Sequence, residues 1–266
     1  MVAITKIEVQ KKNKSRYSIF VNRGNGEEYG FSVDEDVLVK YRLQKGQEIN
    51  EKELRDLLDA DEERKVYHLA IHYLSYRMRS RKEIRDYLIR KEKEEKYIDI
   101  AIKKLEQEKW LDDREFTRAY IQTKRLTQVK GPRKLKQELM TKGVNEEIID
   151  VHLMEIPVEE WVGEVRKWLE KKGKQDKRLS QRSRKDKLVG QLYAKGYTEA
   201  IISEALSTFE NEDQDREEWE AICYQGEKIR KKYRQLHGWE YNQKCKQALY
   251  RKGFSIDMIE QYLQEE

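Results

Sequence analysis

Proline occurs twice in this 266-residue chain, cysteine twice and histidine four times. No uncharged run exceeds the eleven residues VYHLAIHYLSY at 66–76. Each scarcity excludes something. Two cysteines cannot build a disulfide framework, so a reducing cytoplasm is the expected compartment. An uncharged run of that length falls short of the ~20 residues a membrane-spanning helix needs. The opening MVAITKIEVQKK has no apolar secretion-signal core, and no membrane association is expected. Four histidines with no nucleophile–base set and no GxxxxGK[ST] loop argue against an enzyme, and no cofactor is expected. His68 and His72 stand four apart, a zinc-compatible spacing, but a third ligand is missing and no metal site is assigned.

What the chain has instead is charge, 40% of residues against a usual ~25%. With little Pro or Gly and much Lys, Glu, Arg, Leu and Gln, this predicts helix with short joints. An apolar content of 37% predicts several small cores rather than one large one. The net charge of +5 is unevenly spread. Residues 163–196 hold twelve Lys/Arg against four acids, and 207–220 hold seven acids against one Arg. A basic block beside an acidic one reads as a polyanion-facing surface next to a separating or self-masking segment, or simply as solvated helix faces.

One phrase repeats: LMTKGVNEEII (139–149), LYAKGYTEAII (192–202) and LYRKGFSIDMI (249–259). Its glycines, Gly143, Gly196 and Gly253, lie 53 and 57 residues apart. Each fits the left-handed residue just past a helix end, with Leu139, Leu192 or Leu249 closing a hydrophobic contact across the stop. The next residue but one, Asn145, Thr198 or Ser255, caps a new helix. The motif is a corner between two helices. Aligned on it, Ile84, Leu135, Leu188 and Cys245 form one column, and Leu88, Leu139, Leu192 and Leu249 the next. Lys91, Lys142, Lys195 and Lys252 form a third, and Glu92 replaces glycine in the first copy. The column lysines have two readings, complementing a helix C-terminus or tracking a periodic anionic partner.

Further signals place the elements. ITKIEVQ, RYSIFVN and EEYGFSV around the turn RGNG (23–26) predict a β-hairpin or three-stranded meander over about 3–33. Short helices are expected near 34–43 and 50–59, the second capped by Asn50, and a separate helix over 62–78. Capping boxes open helices at Ser80–Glu83 and Asp112–Glu115, and Pro132 takes a first helical position. The expected fold is mainly α: tandem three-helix, helix-turn-helix-like repeats in an elongated, curved array behind a small β segment. The expected boundaries are 1–60 for the N-terminal segment, then repeats at 61–110, 111–156, 157–210 (the basic one) and 211–266. Trp161, Trp168, Trp219 and Trp239 are expected in cores or joints.

WLDDREFTRAYI (110–121) and KGPRKLKQELMTKGVNEEIIDVHL (130–153) resemble the RecX family of RecA regulators. The matching positions are Leu111, Asp112, Asp113 and Phe116, then Gly131, Pro132, Leu135, Glu138, Leu139, Lys142 and Gly143. The resemblance implies a non-enzymatic, cytoplasmic protein that binds RecA and the RecA–DNA filament. It implies modulation, with inhibition the expected sign, of ATPase, strand-exchange and co-protease activities in recombination, repair and the SOS response. Direct DNA contact and a monomeric state are further expectations. The alternatives are a tandem helix-turn-helix DNA-binding protein and a helical scaffold for another protein. The contact candidates are Lys174, Lys177, Arg178, Arg182, Arg184, Lys185 and Lys187 in the basic repeat, then Arg133, Lys134, Lys142, Lys195 and Lys252.

Overall fold

A computed structural model of the chain describes residues 1–24, 26–173, 176–207 and 214–264. The chain divides into two compact units: Met1–Thr117 with Thr141–Asn145, and Arg118–Met140 with Glu146–Glu266.

The first unit opens on three alternating strands, β1 (Val2–Val9), β2 (Arg16–Asn22) and β3 (Glu27–Asp34), followed by α1 (Glu35–Lys40) and a short β4 (Glu48–Ile49). All pairings are antiparallel, in the order β3-β2-β1-β4. The expected meander is therefore present with a fourth strand added at its β1 edge. Asn22 Oδ1 accepts from the Gly24 and Gly26 amides, which closes the β2–β3 turn. The inward residues Ile4, Ile19, Val21, Phe31 and Val33 bury against Val37, Leu43, Ile49 and Leu57.

Beyond the sheet runs α2 (Glu51–Leu74), a single helix of 24 residues opened by a complete Asn50–Glu53 capping box. This corrects the expectation of two helices, at 50–59 and 62–78. The polar stretch DADEERK that reads as a joint is instead held in the helix by its partners. Asp61 is buried on Arg16 of β2, while Glu62 pairs with Lys93. Downstream, Val66 and Ala70 join α3 (Arg81–Arg90) and α4 (Glu95–Gln107) in a core with Ile84, Leu88, Ile98, Ile102 and Leu105.

The remaining helices are α5 (Asp113–Gln128), α6 (Pro132–Thr141), α7 (Glu146–Met154), α8 (Val158–Gly173), α9 (Gln181–Ala194), α10 (Glu199–Ser207), α11 (Gln214–Tyr233), α12 (Gly238–Arg251) and α13 (Ile256–Gln264). They follow the three-per-repeat grammar of the sequence. Both apolar columns, Ile84/Leu135/Leu188/Cys245 and Leu88/Leu139/Leu192/Leu249, are buried throughout. Gly143, Gly196 and Gly253 have φ of +77°, +89° and +89°. The Tyr197 and Phe254 amides reach back to the Leu192 and Leu249 carbonyls, the long bond of the predicted stop. In the first copy Lys93 makes the same bond to Leu88, and Glu92 adopts φ +55° without the glycine that conformation favours, a strain of ~1–2 kcal/mol. Trp161 and Trp168 are buried and Trp219 packs on the last core. Trp239, expected in a core or joint, is 78% exposed at the first turn of α12.

Candidate functional site

The corners do more than turn the chain. Each one seats on the start of the middle helix of the preceding repeat. In the first unit the Thr141–Asn145 corner meets the start of α3, where the Ser80 hydroxyl donates to the Lys142 carbonyl at 2.7 Å. A β-carbon on Gly143 would lie 2.5 Å from Lys82 Cδ. The adjacent Arg81 amide donates to Asp113 Oδ1 at 2.8 Å. The two aspartates of the LDD stretch thus divide the work. Asp112 caps its own helix through the Arg114 and Glu115 amides, and Asp113 caps α3.

The second unit repeats this construction. At the start of α9 the Ser180 hydroxyl donates to the Lys252 carbonyl, joined by Ser183 Oγ at 2.7 Å, and the Gln181 amide donates to Glu218 Oε2 at 2.6 Å. At the start of α6 the donors are backbone: Gly131 N to Lys195 O at 2.9 Å and Arg133 N to Gly196 O at 3.1 Å. In all three joints, orphan amides or a capping hydroxyl at a positive helix start meet the orphan carbonyls of a helix end. Sequence reasoning found the corner and missed its socket. The available signal was a small residue (Ser80, Gly131, Ser180) just before each middle helix.

Lys142 and Arg77 both pair with Glu83, at 2.8 and 2.9 Å, and the Ser80 amide donates to the same carboxylate. Burial pushes the Glu83 pKa up, but these three donors outweigh it and hold it at about 2, against an ordinary 4.5. A native pKa below the unfolded one means stability that is complete above about pH 4.5 and lost as pH falls toward 2. Urea midpoints measured from pH 6 down to pH 2.5 are therefore expected to fall more steeply for the native chain than for Glu83→Gln. Parallel pH profiles would remove Glu83 from this role.

The candidate cations occupy varied settings. Lys174 lies outside the described residues. Arg184 is buried and pairs with Glu217 at 2.9 Å, and Lys177 reaches the same carboxylate at 3.0 Å. Arg178 stacks on Tyr224 and donates to its hydroxyl, while Lys187 pairs with Asp176. Glu217 and Glu218 of the acidic block thus hold basic-block groups inside one unit; residues 208–213 of that block lie outside the described residues. Among the described residues, Arg182 and Lys185 are exposed on α9 and enter no ion pair. Lys195 donates to the Gln128 carbonyl and lies over Trp168. Burial, with Lys172 and Lys130 nearby, lowers its pKa. The Arg133 and Lys134 backbones form the α6 socket. Lys252 lines a groove between α11 and α12 with Lys228, Lys232, Lys244 and Arg251, a cluster the sequence reading did not assemble. His68 faces Asp34 and His72 faces Tyr76. No described helix is long and apolar enough to cross a membrane.

The arrangement is one of helix sockets and cation clusters, and the chain that builds it is similar to known proteins. Family models described as the regulatory protein RecX N-terminal domain and the RecX first, second and third three-helix domains match residues 2–50, 67–105, 112–153 and 216–263. The third-domain description thus falls on the fourth triplet of helices in this chain. A protein named Regulatory protein RecX from Halalkalibacterium halodurans is 48% identical over 266 residues, covering 100% of both chains. One of the same name from Bacillus cytotoxicus is 43% identical over 264, covering 99% of this chain and 98% of its own. A crystal structure of regulatory protein RecX superposes with a TM-score of 0.66 at 31% identity, covering 78% of this chain and 100% of that one. That of RecX from Lactobacillus salivarius gives 0.53 at 30%, covering 56% and 96%. With relatives alike from end to end and four of its segments matched in order, this chain belongs to the RecX family of regulatory proteins.

Proposed function

We propose that this protein binds the RecA recombinase and the RecA–DNA filament and inhibits its ATPase, strand-exchange and co-protease activities. It does so in the cytoplasm as a non-enzymatic monomer. The observation that carries this reading is the end-to-end likeness to proteins named Regulatory protein RecX. The repeat boundaries we propose are 61–110, 111–156, 157–210 and 211–266, behind an N-terminal segment at 1–60. Tandem three-helix repeats suit such a role, since repeat arrays bind partners along the surfaces their stacked units create.

Of the contact candidates in the third repeat, Arg182 and Lys185 are available to a partner, being exposed and outside any ion pair among the described residues. The test is titration of the purified protein into a RecA ATPase assay on single-stranded DNA, with strand exchange run in parallel. Dose-dependent inhibition is expected, weakened by Arg182→Glu with Lys185→Glu. Unchanged ATPase and strand exchange at a several-fold excess over RecA would sink the proposal. Arg184 is a poor choice for charge reversal, because it is buried on Glu217 and a carboxylate there would face a like charge.

A further inference from the structure

The groove between α11 and α12 encloses about 490 Å³ and has five cations on its walls: Lys228 and Lys232 on α11, and Lys244, Arg251 and Lys252 on and just after α12. Among the described residues no carboxylate lines it. This is unusual for a chain with 56 basic and 51 acidic residues. Several cations elsewhere are matched: Lys130 by Glu138, Lys136 by Asp150, Lys246 by Glu260. In the groove Lys228 and Lys232 lie over Tyr224 and Tyr233. Lys244, Arg251 and Lys252 enter no ion pair among the described residues. Like charges gathered on facing walls repel, and the repulsion is relieved when a polyanion enters.

The chemistry of the walls suits phosphate. Four of the five cations are lysines, compact point charges that bind phosphate oxygens, and the fifth is an arginine, whose planar fork also fits phosphate bidentately. Two helices supply charges over ~6 Å on one wall and ~10–12 Å on the other, enough to follow a few consecutive phosphates. Tyr233 lines the same groove, which adds an aromatic face to a cationic track, the combination used for sequence-tolerant binding of single strands. We propose that this groove holds the sugar–phosphate backbone of a nucleic-acid single strand, with Lys232, Lys244, Arg251 and Lys252 on phosphates and Tyr233 as a stacking face. It deepens the function proposed above by assigning where nucleic acid is held; it rests on that reading only for the identity of the strand inside a filament.

The test uses the full chain and a fluorescein-labelled oligothymidylate, read by anisotropy across a salt series. Lys232→Ala, Lys244→Ala and Arg251→Ala combined replace exposed side chains outside the cores, and circular dichroism checks that the fold persists. This triple variant is expected to bind about tenfold or more weakly at low salt, with the slope of log K against log salt reduced by about 2. Tyr233→Leu is expected to weaken binding several-fold with the salt slope unchanged. The matched pair Arg182→Ala and Lys185→Ala, on α9, measures any contribution from the basic repeat. Equal affinity and slope for the native chain and the triple variant would overturn the proposal. So would displacement of the oligonucleotide by polyglutamate at equal charge concentration, which would mark a site for acidic polypeptides, or by inorganic phosphate at low concentration, which would mark a small-anion site. RecA ATPase inhibition is read separately. A native chain that binds the oligonucleotide through the groove yet leaves RecA untouched refutes the proposed function and leaves the groove standing.

Discussion

Gly196→Ala is expected to destabilise the unit that contains it by about 2–5 kcal/mol. Two independent costs add. The residue sits at φ +89°, and a side chain in the left-handed region costs ~1–2 kcal/mol. Its new β-carbon would also press on the Lys134 backbone amide and lie 2.5 Å from Lys134 Cβ. Overpacking of this kind costs ~1–3 kcal/mol, and here the obstacle is main chain that cannot swing aside. The facing residue is just as confined: a β-carbon on Gly131 would lie 2.5 Å from the Gly196 carbonyl carbon and the Tyr197 nitrogen. Relief by separation would break both backbone bonds of the socket, Gly131 to Lys195 and Arg133 to Gly196. Denaturant unfolding followed by the fluorescence of the buried Trp161 and Trp168 reads the effect. Gly190→Ala is the control, because nothing lies within 4 Å of a β-carbon there. In mid-α9 it is expected to be neutral or to stabilise by ~0.5–1 kcal/mol. Equal midpoints for the two variants would show that the socket tolerates a side chain and that the corner is only a chain reversal.

That glycine illustrates how far sequence alone reaches. Its left-handed conformation was legible because a helix stop is local: Leu192, Gly196, Tyr197 and Thr198 carry all the parts within seven residues. The capping boxes at Asn50 and Ser80 and the two buried columns were legible for the same reason, since helical periodicity and cap chemistry repeat at fixed short spacings. The socket was not, because Gly131 and Gly196 are 65 positions apart and nothing in either segment names the other. The column lysines show the same limit. One pattern gives three settings: Lys142 on Glu83, Lys195 on a carbonyl and a tryptophan, and Lys252 in the cationic groove. Spacing can align them, but only the neighbours brought by the fold decide whether such a lysine is a structural cation or an available one. The α11–α12 groove was missed on similar grounds. The third repeat has the densest run of Lys and Arg along the chain, yet its charges are partly answered by Glu217 and Asp176. The fourth repeat has fewer, spread over two helices, and the fold gathers them.

Asp61→Ala is expected to cost about 3–5 kcal/mol in the N-terminal unit, the usual price of stranding the partner of a buried charge. The carboxylate is 1% exposed. It accepts from Arg16 Nη1 at 3.2 Å and Nη2 at 2.9 Å, from the Asp34 amide at 2.8 Å and from Lys65 at 3.0 Å. Arg16 Nη2 also donates to the Ser32 carbonyl, so one guanidinium ties β2, β3 and α2 together. Removing the carboxylate leaves a buried amide and a largely buried cation unmatched. Asp61→Asn keeps one acceptor for the Asp34 amide and gives up the charge, so it is expected to fall between the native chain and alanine. The direction of the pH effect follows from the same contacts. Burial pushes the Asp61 pKa up, but the bonds from Arg16, Lys65 and the Asp34 amide overcome it and leave the pKa below the ordinary carboxylate value. The unfolded chain therefore takes up this proton first. The contribution is complete above the unfolded value, ~3.9, and is lost as pH falls through the native one. Urea midpoints at pH 7 and pH 3 are expected to differ more for the native chain than for Asp61→Asn, with the gap between the two proteins narrowing in acid. If alanine at 61 left the pH 7 midpoint within experimental error, the cluster would be ornamental. The continuity of α2 would then rest on its apolar contacts with the sheet and with the first helical core.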